Sequence, residues 1–398
     1  MKILFVTSGF RQITKNQGAI ENLINIFILN NEKTKKHEIT VYSASKQGLT
    51  EDDIYTNTKF RNIDLSAKKN KVFQKIISGI NRIVPVKMSQ IYIKKVVDDL
   101  LLRKEENYYD IIIMENGQLY IRYFKEKMNT KSKIVLHLHN DVLNVSTPYA
   151  KKICSLFDEI WTVSEYIKSR VDEIDSNISK KTKILYNTID FSYFSNKLSK
   201  KEIITLREKY GCKKNDFVFI YVGRVIEGKG VLELLEIFKR INKKYNNTKL
   251  IIVGGNAAFT QTGKYYQKII KSKNENVILT GNINYNELYK YYQIADVQVI
   301  PSICYEAFGL IALEGVACNI PIICSNRGGL PEVLSECCEY IDMDNLNDSL
   351  YKLMEKSINN YKNLLEKTSD YNNIVAKFSL ENYINCMEKY LCSVKDGD

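Results

Sequence analysis

The sequence predicts an α/β protein built from two doubly wound parallel sheets. Short apolar, β-branched runs alternate along the chain with longer amphipathic stretches, the pattern of strands joined by crossover helices. Its 398 residues suffice for about two domains of ~100–200 residues, each with a core. The apolar periodicity lapses once, in the Ser/Lys-rich FSYFSNKLSKKEI, which places a boundary between Asp190 and Asn215.

The first-half strand candidates are Lys2–Thr7, Glu38–Ser43, Ile111–Glu115, Ile134–Leu138, Glu159–Val163 and Lys183–Tyr186. Each is short and rich in aliphatic residues, as a strand covered on both faces must be. Between the first two, KNQGAIENL carries Gly18 in a loop leading into a helix over Ile20–Leu29. The second half repeats the scheme with strands at Phe217–Val222, Lys249–Val253, Val277–Leu279, Val297–Ile300 and Pro321–Cys324.

Pro301–Glu332, PSICYEAFGLIALEGVACNIPIICSNRGGLPE, is the most informative stretch. An apolar strand runs into a loop carrying Glu306, and then a helix carries Glu314. Phe308, Gly309 and Leu310 stand where that helix begins, so their N–H groups and the positive helix end favour an anion. Eight residues at ~1.5 Å rise set the two carboxylates roughly 12 Å apart, the reach needed to hold a ribose at one end of a nucleotide-sugar and a hexose at the other. A second strand and the pair Gly328-Gly329 border the same site.

Upstream, FVFIYV ends in Gly223-Arg224, followed by Glu227-Gly228-Lys229-Gly230 and a helix over Val231–Tyr245. A guanidinium grips phosphate bidentately, an ammonium acts as a point charge, and the glycines admit close backbone approach, so a diphosphate is the expected guest. The Walker pattern is absent.

With YEAFGLIALE and GRVIEGKG the chain resembles retaining glycosyltransferase family 4, whose signature is a pair of glutamates eight residues apart. The resemblance takes in IIVGG, VILTG, YYQIADVQVIPS, VSEYI, LYNTID and HLHND, nearly the whole chain. It implies the GT-B fold, two Rossmann-like domains facing a cleft. Residues 1–195 would bind acceptor, joined by a returning helix over 378–398, and 205–375 would bind the nucleotide-sugar. By the same resemblance, Arg224 and Lys229 neutralise the donor diphosphate, Glu314 holds the ribose, and Glu306 holds the sugar hydroxyls. Main-chain groups of Phe308, Gly309 and Leu310 contact phosphate or sugar, and Val277–Gly281 edges the base, with Gly223 and Gly281 in the binding set. Gly18 contacts donor phosphates and acceptor; a second glycine common in the family is Ala19 here, which adds a methyl. Asn187 and Asp190 align with the family's hinge motif and read as structural, with Thr188 in place of its glycine. Sugar transfer with retention, by a front-face route in which the departing phosphate oxygen helps deprotonate the incoming hydroxyl, is the implied reaction.

His137 and His139 stand in VLHLHNDV, where period two sends both to one face. Nearer the strand's carboxyl end, His139 is the one expected to face the donor sugar, with His137 in reserve. With no third ligand of the right type nearby in the sequence, no metal is expected. Nor is a divalent cation expected with the donor, since fixed cations stabilise the leaving diphosphate. Asp342-Met343-Asp344 matches the letters of a metal-binding Asp-x-Asp but reads as a surface loop.

The chain carries a net charge of +12. Lys68–Lys104 is rich in lysine, and its Val72, Phe73, Ile76, Ile77, Ile80 and Ile83 recur at helical spacing. A basic amphipathic helix suits an anionic membrane surface, so a lipid-linked acceptor is expected beside a glycan one. Nucleic acid is not expected, since aromatic and basic residues do not interleave. Nine scattered cysteines without CxxC indicate cytosolic usage. With neither a signal peptide nor a membrane span in the sequence, the expected location is the cytoplasm or the inner face of the membrane. Capsule or cell-surface polysaccharide synthesis is the expected setting. Two rivals share this architecture: a nucleotide-sugar epimerase, which needs no acceptor, and a non-catalytic binding protein.

Overall fold

The computed structural model describes residues 1–7, 18–45, 55–65, 91–255 and 262–396. These fall into two compact units, Met1–Asn187 together with Leu380–Asp398, and Thr188–Ser379. The division precedes the Asp190–Asn215 stretch because the aromatics of FSYF belong to the second unit: Phe194 is fully buried against Tyr285 and Tyr292.

The first unit holds a seven-stranded parallel sheet of β1 (Lys2–Val6), β2 (Glu38–Ser45), β3 (Thr58–Asp64), β4 (Ile111–Glu115), β5 (Lys133–Leu138), β6 (Glu159–Thr162) and β7 (Thr182–Ile184), in the order β3-β2-β1-β4-β5-β6-β7. The second holds six parallel strands, β8 (Phe217–Val222), β9 (Thr248–Val253), β10 (Val277–Gly281), β11 (Val297–Ile300), β12 (Ile322–Ser325) and β13 (Glu339–Ile341), in the order β10-β9-β8-β11-β12-β13. Two edge strands stand outside the strand candidates named above. β3 is polar TKFRNID, held by the paired β2 and by Arg61, whose guanidinium takes both Glu105 oxygens at 2.7 and 2.8 Å. β13, EYI, has three residues and pairs only with β12.

The cores form where the pattern demands. Phe219, Tyr221, Leu235, Phe238, Leu250 and Ile252 are buried between the second sheet and its helices. In the first unit Phe5, Phe27 and Trp161 meet Tyr383, Met387, Leu391 and Val394 from the helix Leu380–Asp396, one helical face of the chain's C-terminal segment. Each such side chain contributes about 1.5–3 kcal/mol by leaving water.

Most of the expected basic helix, residues 66–90 and with them Val72 through Ile83, lies outside the described residues. The part that is described, the helix Ile91–Leu102, turns Ile91, Tyr92, Ile93, Val96, Val97 and Leu100 into the core. Its apolar stripe therefore packs within the protein. No helix among the described residues is long and apolar enough to cross a membrane.

Candidate functional site

In each sheet the winding reverses beside the first strand: β1 is flanked by β2 and β4, and β8 by β9 and β11. Loops leaving the carboxyl ends of such a strand pair diverge, and the crevice between them is where open α/β sheets bind ligands. The second unit's crevice lies at the ends of β8 and β11.

Leaving β8, the chain passes Gly223, at φ 147°, and reaches the exposed Arg224, whose carbonyl accepts from the Tyr221 hydroxyl at 2.8 Å. The Gly228 carbonyl then accepts from the N–H groups of both Ile303 and Cys304 at 2.9 Å, stapling this turn to the loop after β11. Gly230, at φ 69°, caps the helix Val231–Lys244, and a Cβ there would overlap the Pro301 carbonyl. Only glycine permits that approach.

The staple brings charges together. Lys229 Nζ lies 2.5 Å from Glu306 Oε1, and the Ser302 hydroxyl donates to the same oxygen at 2.5 Å. The Glu306 carbonyl accepts from the Gly329 N–H at 2.8 Å, and a Cβ on Gly328 would strike the Glu306 backbone. The helix begins at Leu310 rather than at Phe308, so the spacing from Glu306 to Glu314 is only partly helical. Gly309 caps it at φ 102°, against Leu330, while Phe308 packs its buried ring edge-on to Phe378. The Ala312 N–H donates to the Gly309 carbonyl at 2.8 Å, and the N–H groups ahead of it, of Leu310 and Ile311, precede the first helical carbonyl, which makes this end a fit for an anion. Arg327 adds a cation, donating to the Ile303 carbonyl at 2.5 Å and lying 5.4 Å from the Tyr305 ring centre.

One turn into this helix, Glu314 is buried and accepts from the Tyr292 hydroxyl at 2.8 Å. Burial pushes its carboxyl up to about 7, and that hydrogen bond only partly opposes the rise. At neutral pH it is therefore poised between its two protonation states. Tyr285, half-buried, stacks on Tyr193 at 6.0 Å. At the end of β10, Gly281 sits at φ 71° and its carbonyl accepts from Gly254.

In the first unit Gly18 caps the helix Ala19–Thr34 in extended backbone, at φ −164°, which any residue adopts. In the same unit β4, the neighbour of β1 in the sheet, ends in Glu115, in register with His137 of β5. Glu115 Oε2 lies 3.0 Å from His137 Nδ1 and 2.6 Å from His139 Nε2, and all three side chains are buried. Burial raises the Glu115 carboxyl, but the two imidazoles outweigh it and hold the group at about 2. Burial, reinforced by His137, lowers His139 to about 4. The sequence offered no third ligand near the histidines, yet Glu115 supplies one: among the described residues these three are a cluster able to reach a single ion. Tetrahedral ligands ~2.0–2.1 Å from an ion stand about 3.3 Å apart, whereas 2.6 Å is a hydrogen-bond separation, so the spacing fits a shared proton better than a shared metal.

The ends of β8 and β11 thus gather Gly223, Arg224, Lys229, Glu306, Phe308, Gly309, Leu310 and Glu314, with Gly281 two strands away; Gly18 and His139 belong to the first unit. Asp190 caps the short helix Phe191–Phe194, and Asp342 and Asp344 form an exposed turn. Sequence reasoning missed Glu115, Tyr292, Ser302 and Arg327. Ser302 and Arg327 carried a signal, lying inside Pro301–Glu332 itself, as did Tyr292, in YYQIADVQVIPS; Glu115 did not.

Residues 202–373 match the family of group 1 glycosyl transferases, so the second unit carries a domain of that kind. An uncharacterized glycosyltransferase of Methanocaldococcus jannaschii is 34% identical over 177 residues, 44% of each chain. The lipopolysaccharide 1,2-N-acetylglucosaminetransferase of Salmonella typhimurium is 24% identical over 268 residues, covering 66% of this chain and 65% of that one. The chain thus spans between about half and two thirds of these relatives. The crystal structure of Anabaena HepE in complex with UDP-glucose superposes with a TM-score of 0.74 over 99% of this chain and 100% of that one, at 17% identity. The fold is GT-B, two Rossmann-like parallel-sheet domains.

Proposed function

We propose that the chain is a retaining glycosyltransferase that moves a sugar from a nucleotide-sugar to a hydroxyl of a glycan or lipid-linked acceptor in cell-surface polysaccharide synthesis. The observation that carries this reading is the joined cation and carboxylate at the ends of β8 and β11: Lys229 on Glu306, beside a helix start and an exposed Arg224. Arg224 and Lys229 take the diphosphate, whose charge grows as the bond to the sugar breaks; fixed cations aimed there stabilise that transition state. Glu306, already bonded to Ser302, accepts from sugar hydroxyls, and Glu314 accepts from the ribose. The first domain takes the acceptor, and His139 is that domain's own candidate for a sugar contact. The new glycosidic bond forms on the face the diphosphate leaves, and a departing phosphate oxygen takes the acceptor's proton.

Because the charge comes from side chains, turnover proceeds without a divalent cation, and excess EDTA leaves the rate unchanged. The relatives' naming in lipopolysaccharide assembly supports a surface glycan as the product, and the basic stretch 68–104 supports contact with anionic membrane. A panel of nucleotide-sugars, scored first by the rise in melting temperature and then by transfer to candidate acceptors, tests the reading. One donor should raise the melting temperature and be consumed only with acceptor, giving a product whose anomeric configuration matches the donor's. Consumption without acceptor, yielding an isomerised donor, marks an epimerase instead; tight binding without consumption marks a binding protein.

A further inference from the structure

The first unit's own switch point, between β1 and β4, is where the fold places a ligand crevice, and β4 ends there in Glu115. A carboxylate this buried needs strong partners to remain ionised, and it has them in two imidazoles from the adjacent strand end. An ionised carboxylate only accepts hydrogen bonds, so the His139 nitrogen 2.6 Å away, Nε2, carries the proton. The neutral ring then leaves Nδ1 bare, and Nδ1, like Nε2 of His137, is buried without a partner among the described residues. The backbone is fixed as well: the His139 N–H donates to the Asn116 side chain at 2.9 Å, and the Asn116 N–H donates to the His137 carbonyl at 2.8 Å.

A purely structural trio would be expected to satisfy its nitrogens, since an unmet buried acceptor costs about 1–3 kcal/mol. We propose that Glu115 is a positioning residue, which locks His139 in its Nε2–H form so that the Nδ1 lone pair is held ready to accept from a sugar hydroxyl, with His137 as a second brace on the same carboxylate oxygen. This rests on the transferase reading of His139, and it assigns a role to a residue outside the signature motifs.

The test is direct. Nitrogen NMR of the full-length protein labelled with ¹⁵N-histidine should show His139 protonated at Nε2 and bare at Nδ1 at pH 7. Glu115→Gln should lose that single tautomer and lower kcat about 10²-fold, leaving KM for the donor within about twofold. Glu115→Asp, keeping the charge, should restore part of the rate. A His139 protonated at Nδ1, or a Glu115→Gln enzyme with unchanged kcat, overturns the proposal. So does stoichiometric Zn²⁺ binding that shifts both histidine signals and is lost in Glu115→Gln. Calorimetry with UDP, GDP, ADP and dTDP keeps the two readings apart: failure of the unsubstituted protein to bind any of them counts against the transferase, while the tautomer is judged without any substrate.

Discussion

Glu115 is buried at the carboxyl end of a parallel strand and Glu314 one turn into the helix that follows another, yet they end in opposite states. Two imidazoles hold Glu115 near 2, whereas Glu314 has a single tyrosine hydroxyl and rises to about 7. Desolvation disfavours the charge in both, so the partners decide the outcome. The first unit has a carboxylate satisfied from within, and the second has one left with a single partner.

The largest expected effect lies with the second unit's cations. Arg224→Ala combined with Lys229→Ala should cut transfer by at least about 10³-fold, as loss of fixed charge at a leaving group does, while the His139 nitrogen signals stay where they are. Transfer at a normal rate in the double variant would leave the pyrophosphate without its proposed site. Next, Glu115→Ala strands two buried imidazole N–H groups and should cost about 3 kcal/mol in urea unfolding. Glu314→Gln should instead stabilise the fold at pH 8 while weakening nucleotide binding; equal losses in both variants would erase the contrast.

The contrast has a pH signature of similar size. An acid whose pKa rises on folding is a liability as pH climbs from 4.5 to about 7, because the native state keeps a proton that the unfolded chain has released. Over that window the unsubstituted protein should lose up to about 3 kcal/mol relative to Glu314→Gln, read by unfolding at pH 5 and pH 8. Glu115 has the opposite sign: its contribution is present above pH 4.5 and disappears as pH falls toward 2. The smallest effect is Tyr292→Phe, which removes one hydrogen bond to Glu314 and should weaken nucleotide binding by about 1 kcal/mol, roughly fivefold, with its pH midpoint moved upward.

Interior strands were legible because a strand covered on both faces is a continuous apolar run; β8, FVFIYV, falls where its composition puts it. The edge strands β3 and β13 were not, since one is polar and the other has three residues, and pairing with a neighbour specifies both. The same divide runs through the site. Arg224, Lys229, Glu306 and Glu314 could be read because each sits at a short fixed distance from its own strand. Glu115 could not be linked to His139, 24 residues away, or Tyr292 to Glu314, 22 away, because only parallel register and the turn of a helix bring them into contact.

The staple at Gly228 joins two loops through main-chain atoms alone, as does the bond from Gly329 to the Glu306 carbonyl. Polypeptide links of this kind are indifferent to which side chains the intervening residues carry. Ile303, Cys304 and Tyr305 can therefore be exchanged for others without slackening the link, so the surface these side chains present can drift over evolutionary time while the two loops stay joined.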